Sequence, residues 1–289
     1  MVFLKQFRML TEMEEYVFLE NKKNIYNNYY PLGIFWEKGM DTIECEPITI
    51  FYGGNGSGKT TILNILANAL SASRRNLDNR GDFFNMYSDR VKDKLIMFNN
   101  DDLKNIKYIS SDDVFDSLLD LRAINSSVNR RKKDLVDEYF ETKYTPAQNY
   151  NSSIDEYDKL KNKVDANRMT VSRYVRSRLR NNNIVQESNG ETALDFWERQ
   201  IEDNAIYIID EPENSLSAEN QLKLKKFIEE SARFYNCQFI IATHSPFLLA
   251  LDGAKVYDLD SRPVVDKKWT ELDNVRVYKE FFDEHKEEF

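Results

Sequence analysis

Residues 53–60 read GGNGSGKT and fit the pattern G-x-x-x-x-G-K-[ST] in full. The preceding stretch, TIECEPITIFY (42–52), predicts a strand, and the following one, TTILNILANALS (60–71), repeats apolar residues at helical spacing without a breaker. Strand, glycine loop and helix is the order a phosphate-binding loop requires. Glycines let the backbone wrap closely, so that N–H groups and the helix N-terminus face an anion. On this reading Gly53, Gly54, Asn55, Gly56, Ser57, Gly58, Lys59, Thr60 and Thr61 bind a nucleotide. Lys59 supplies a charge for the β- and γ-phosphate oxygens, and Thr60 a hydroxyl for Mg²⁺. A glycine turn that merely contains a lysine is the plain alternative, and the flanking strand and helix argue against it.

A second chemical element lies at AIYIIDE (205–211), an apolar run followed by two acids. A buried strand of this kind delivers Asp210 and Glu211 to the carboxyl edge of a sheet, where ligands bind in open α/β folds. Asp210 is expected to hold Mg²⁺, through water, and Glu211 to act as general base towards an attacking water. An acidic turn capping a strand is the competing explanation, and the phosphate loop decides against it. Around these elements, QFIIAT (238–243) and AKVYDL (254–259) read as further strands, residues 218–235 as a helix, and 106–109 as a short strand. Alternating strands and helices argue a mostly parallel sheet with flanking helices. Residues 1–10 look like a half-buried strand, 20–38 an irregular connection, and 274–289 an amphipathic helix. From 112 to about 180 the pattern is mostly helical, with 141–153 as the tip of a hairpin.

Composition bounds what such a chain can be. At 289 residues, 41% hydrophobic and 31% charged, with nine Gly and six Pro, it is neither disordered, collagen-like nor a disulfide scaffold. Cys45 and Cys237 lie far apart without a C-x-x-C spacing, which points to buried thiols in a reducing compartment and away from zinc. No apolar run is long enough to span a bilayer, and acids stand in the N-terminal stretch where a signal peptide needs apolar residues, so a cytoplasmic location without a membrane partner is expected. The net charge of −9 excludes a protein that coats nucleic acid with its whole surface. Residues 121–180 nevertheless carry fourteen Lys or Arg against eight Asp or Glu, net +6, leaving −15 for the rest. Within that segment Arg173, Arg176 and Arg180 share a helical face that could grip a phosphate backbone, pair with Asp155, Glu156, Asp158 and Asp165, or meet a partner protein.

Taken together, the phosphate loop, ESNGE (187–191), IIDEPE (208–213), SLS (215–217) and IIATHSP (240–246) resemble the ATPase family of ABC proteins. The likeness is to its soluble SMC-like and RecF-like branch, AAA-family ATPases in which an S-x-G-E signature replaces LSGGQ. It implies a P-loop α/β fold of ABC ATPase-head type, with an N-terminal antiparallel β element and a helical signature lobe. The nucleotide lobe is then expected from residues 1–112 and 205–289, and the signature-bearing lobe from 113–204. Ser188 and Gly190 begin an apolar-periodic run, and a helix start of this kind favours an anion. The resemblance implies that they meet the γ-phosphate of ATP bound to a second copy, that His244 is the switch residue beside Glu211, and that Ser215–Ser217 couple the two sites.

The family usually places a Mg²⁺-contacting Gln after the phosphate loop, but no Gln occurs from Thr61 to Ala147, which leaves Asp112 or Ser111 for that role. Tyr29, Tyr30 and Trp36 are the candidates for stacking on adenine. The implied function is an ATP-hydrolysing switch that dimerises around ATP and Mg²⁺, in DNA maintenance or phage defence, with a separate effector. The motor subunit of an ABC transporter is the alternative. A GTPase is disfavoured by the lack of an Asn-Lys-x-Asp signal.

Overall fold

The computed structural model describes residues 1–20, 29–40, 42–75, 82–98, 102–144, 171–178 and 189–288. They fall into two units, Met1–Phe115 with Asn189–Phe289, and Asp116–Ser188.

In the first unit, β1 (Leu4–Arg8) pairs antiparallel with β2 (Thr42–Glu44) and β4 (Ile96–Met97) to make a three-stranded sheet. The remaining strands are β3 (Ile48–Tyr52), β5 (Asn105–Ser110), β6 (Ala205–Asp210), β7 (Gln238–Ala242), β8 (Lys255–Asp258) and β9 (Val265–Asp266). They form a six-stranded sheet in the order β5-β6-β7-β3-β8-β9, parallel except for β9. Every residue of β3, β6 and β7 is buried, which is why these strands read as unbroken apolar runs. The register places Ser110 beside Asp210, Asp210 beside Ala242, and Ala242 beside Phe51. The carboxyl ends of β5, β6, β7 and β3 therefore share one edge, and the loops that follow them meet there.

The helix Lys59–Ala69 is buried along most of its length, between the sheet and the helix Asp82–Lys92, whose Phe83, Phe84 and Tyr87 join the same core. That second helix and the helix Glu12–Glu20 are absent from the sequence reading. The other expected strands, the helix over 218–235 (Ala218–Phe234) and the C-terminal helix (Asp273–Glu284) are present, but the strand expected over 42–52 is two, Thr42–Glu44 and Ile48–Tyr52, which belong to different sheets. Cys45 and Cys237 are buried free thiols, and burial pushes them up to about 12 and about 11, so neither is a nucleophile at neutral pH.

The helix Ser111–Tyr144 leaves the first unit at Phe115 and runs through the second. There Tyr139 and Tyr174, the latter on the helix Val171–Arg178, pack edge-on at 5.3 Å, and Tyr174 donates to Glu138 Oε1 at 3.1 Å. The Arg178 guanidinium lies 3.6 Å from the centre of the Tyr174 ring. Arg173 and Arg176 fall on this helix, their side chains outside the described residues, as is Arg180 altogether. The hairpin tip placed over 141–153 begins inside the first helix, which continues to Tyr144, and otherwise lies outside the described residues. At the other boundary, the helix Asn189–Gln200 groups with the first unit and not with 116–188. It packs on the helix Ala218–Phe234 and the turn Pro212–Ser215, and its Trp197 is fully buried.

Candidate nucleotide site

β3 ends at Tyr52, and the loop that starts at Gly53 closes on itself before the helix begins at Lys59. A Cβ on Gly53 would stand 2.5 Å from Ser57 Oγ, so only glycine permits this turn. Gly58 has φ +99° and precedes the helix, with Ile34 and Phe35 packed against its α-carbon. The loop is braced from outside by two residues the motif does not include. Lys38 donates to Ser57 O at 2.8 Å and to Leu259 O at 2.7 Å, and Asp260 accepts from Gly54 N at 2.7 Å. Burial pulls the Lys38 ammonium below the ordinary lysine range.

Lys59 is almost wholly buried. Its ammonium donates to Gly53 O at 2.6 Å and Gly54 O at 3.0 Å, and stands 3.9 Å from Glu211 Oε1. Asp210 ends β6, one strand away from β5. Tyr108 donates to its Oδ2 at 3.4 Å, and the Thr60 side chain lies beside the same carboxylate and favours its charged form. Burial pushes the Asp210 carboxyl up to about 6, opposed by Thr60 and reinforced by the neighbouring Glu211. Its Oδ1 is buried with no hydrogen-bond partner among the described residues. An unpaired buried carboxylate oxygen next to the Thr60 hydroxyl is a hard-oxygen pair suited to Mg²⁺, which keeps water and phosphate oxygens as its other ligands.

Glu211 sits at φ 47°, ψ 57°, a left-handed conformation that costs a non-glycine residue on the order of 1–2 kcal/mol. Its N–H is tied to Ala242 O at 2.9 Å, and Asn214 donates to its Oε2 at 3.0 Å. That turn aims the carboxylate at the space shared with Lys59 and His244, whose Nδ1 is 3.9 Å from Glu211 Oε1. His244 follows β7 and is half-exposed. Its loop is held from three sides: Glu213 Oε1 accepts its N–H at 2.9 Å, Asn274 Nδ2 donates to its carbonyl at 3.2 Å, and Ser245 Oγ donates to Gln221 Oε1 at 2.6 Å. Gln221 in turn donates to Leu216 O at 3.0 Å, linking the Ser215–Ser217 segment to the histidine loop.

The structure thus brings together residues 53–61, Asp210, Glu211 and His244. Asp112 is exposed on the first turn of its helix, whereas its neighbour Asp113 is buried and accepts from Ser110 N at 2.8 Å and Ser110 Oγ at 2.9 Å. Ser110, not Asp112, is the register partner of Asp210. Gly190 lies in the helix Asn189–Gln200, and Ser188 lies outside the described residues. Tyr30 stacks on Phe84 and donates to Thr61 Oγ1 at 3.2 Å, while Tyr29 stacks on Phe83 and Trp36 begins the turn that carries Lys38. Four contributors escaped the sequence reading. Glu213 had a signal, an acid following Pro212 directly after the Asp210–Glu211 pair; Lys38, Asp260 and Asn274 act across long separations and leave none.

Fold and site together define a P-loop nucleotide-binding protein, with one mostly parallel sheet and one antiparallel sheet. The chain belongs to the AAA domain family, whose model matches residues 36–250. Among solved structures it is similar to the SMC head domain from Thermotoga maritima, at 13% identity over 91% of this chain and 98% of that one, with a TM-score of 0.38. It is also similar to the ATP-binding cassette MJ0796 in a dimeric post-hydrolysis state bound to ADP and Pi, at 16% identity over 94% and 100%, TM-score 0.38. A third is the Smc head domain bound to the C-terminal domain of ScpA, derived from Pyrococcus furiosus, at 14% identity over 83% and 94%, TM-score 0.35. No curated protein matches the chain. Among the described residues no helix is long and apolar enough to cross a membrane.

Proposed function

We propose that the chain binds ATP with Mg²⁺ and hydrolyses it as a switch that closes with a second copy of itself. The observation that carries this reading is the convergence of Lys59, Asp210, Glu211 and His244 at the carboxyl ends of β3, β6 and β7. Lys59 would exchange its loop carbonyls for the β- and γ-phosphate oxygens. Asp210 and Thr60 would hold Mg²⁺, which supplies charge neutralisation at those oxygens. Glu211 would orient water and accept its proton, with His244 directing the geometry at the γ-phosphorus. Asp112, exposed at the neighbouring strand end, is retained as a further metal-side residue acting through water.

Ser188 and Gly190 of one copy would meet the γ-phosphate held by the other, so that ATP occupancy is read as closed or open copies. The S-x-G-E signature, the basic segment 121–180 and the resemblance to SMC-like proteins support a cytoplasmic role in DNA maintenance or phage defence. In that role Arg173, Arg176 and Arg180 touch nucleic acid and a separate effector receives the signal.

Purified protein should hydrolyse ATP in a Mg²⁺-dependent manner. Lys59→Ala should weaken ATP binding by on the order of 100-fold, the worth of about 3 kcal/mol for charge-assisted contacts. Equal ATP affinity in that variant would remove the phosphate-loop assignment.

A further inference from the structure

Glu213 stands in the short turn Pro212–Ser215, and its side chain is only 5% exposed. Its Oε1 accepts from Thr243 Oγ1 at 2.7 Å and from His244 N at 2.9 Å, and lies 3.2 Å from His244 Nδ1. A carboxylate oxygen offers only lone pairs, so a ring nitrogen held 3.2 Å from it is favoured electrostatically as the one that carries the hydrogen. In a neutral imidazole that choice leaves Nε2 as the acceptor. Glu211 does not make it, since its nearest oxygen is 3.9 Å from Nδ1, beyond hydrogen-bond reach. Burying a carboxylate is costly unless it is well hydrogen-bonded. Here the donors to Oε1 are those of the histidine loop, Thr243 Oγ1 and the His244 N–H, with the ring nitrogen beside them at 3.2 Å, while Oε2 is buried without a hydrogen-bond partner among the described residues.

We infer that Glu213 is a positioning residue that fixes His244 as its Nδ1–H tautomer and leaves Nε2 to meet the nucleotide and its attacking water. The purpose of this device rests on the ATPase reading; its geometry does not. Because the loop backbone is also held by Asn274 and Gln221, removing Glu213 should release the ring more than the backbone. The helix Asn189–Gln200 packs on the turn that carries Glu213, so the signature segment and the histidine ring share a support within the first unit.

The chain has only two histidines, His244 and His285, so ring ¹⁵N spectra of the full-length, histidine-labelled, nucleotide-free protein in alkaline buffer can be assigned with a His285→Gln control. Wild type should show His244 with a protonated Nδ1 and an acceptor Nε2. Glu213→Gln, whose amide oxygen still accepts, should keep that pattern; Glu213→Ala should convert it to the Nε2–H form. ATP turnover should follow: in Glu213→Ala kcat falls by about 100-fold while KM changes by no more than about twofold, and Glu213→Gln recovers most of kcat. A wild-type His244 carrying its hydrogen on Nε2 would overturn the assignment even if the protein hydrolyses ATP, as would an unchanged spectrum in Glu213→Ala. An Nδ1–H spectrum in a protein that never turns over ATP would instead sink the ATPase reading and leave the positioning intact.

Discussion

Replacing Gln238 with Leu should detach one sheet from the other. Gln238 begins β7 and is fully buried, and its amide bonds to backbone only. Its Oε1 accepts from Phe3 N at 2.9 Å and Leu4 N at 2.8 Å, while its Nε2 donates to Leu4 O at 2.8 Å and Glu46 O at 3.2 Å. One side chain thereby ties β1 and the entry to β3 onto the central sheet. Leucine matches its bulk but leaves each of those backbone groups without this partner. At about 1 kcal/mol net for each bond, the loss is about 4 kcal/mol. Unfolding entropy near 2.1 cal/mol/K per residue gives about 0.6 kcal/mol/K for a chain of this length, so Tm should fall by about 7 °C. Differential scanning calorimetry or thermal circular dichroism reads this directly, with the far-ultraviolet spectrum at low temperature confirming the fold. A Tm within about 1 °C of wild type would refute the reasoning and show that packing alone holds the antiparallel sheet.

Gly58→Ala forces a β-carbon into a residue at φ +99° and within 3.3 Å of Ile34 and Phe35, so ATP affinity should drop by on the order of tenfold; undiminished binding in equilibrium dialysis would contradict the loop geometry. Acid should also find a specific weakness. Burial pushes the Glu14 carboxyl up, but hydrogen bonds from Lys94 and Thr11 outweigh it and hold it at about 2, below the unperturbed 4.5. Its contribution is therefore complete above pH 4.5 and lost as pH falls towards 2, so the stability gap between wild type and Glu14→Gln should shrink across that window in urea titrations. A gap independent of pH would remove the interaction from the account.

The central strands were legible because burial on both faces demands continuous apolar residues, as in AIYII (205–209) and FIIA (239–242). The phosphate loop was legible because its chemistry is local: glycines for the turn, a lysine and a threonine at fixed spacing. Less local features were harder to see. The helix Glu12–Glu20 opens with a capping box, in which Glu14 Oε2 accepts from Thr11 N at 2.9 Å and from Thr11 Oγ1 at 3.0 Å, but its apolar residues form no clear stripe. The helix Asp82–Lys92 owes its place to Phe83, Phe84 and Tyr87 meeting the helix Lys59–Ala69, a tertiary cause. Lys38, Asp260 and Gln238 act on groups as far as 235 residues away, and nothing near them in the chain announces it. Glu213 lay within a recognised motif yet showed its use only when Thr243 and His244 were seen to donate to one of its oxygens.

Glu211→Gln tests the shared-site claim most directly, because it keeps the side chain's shape and removes the proton acceptor. With ATP and Mg²⁺ this variant should run on a sizing column with light scattering at twice the monomer mass and carry one uncleaved ATP per chain. A monomer holding a full complement of ATP would contradict the account.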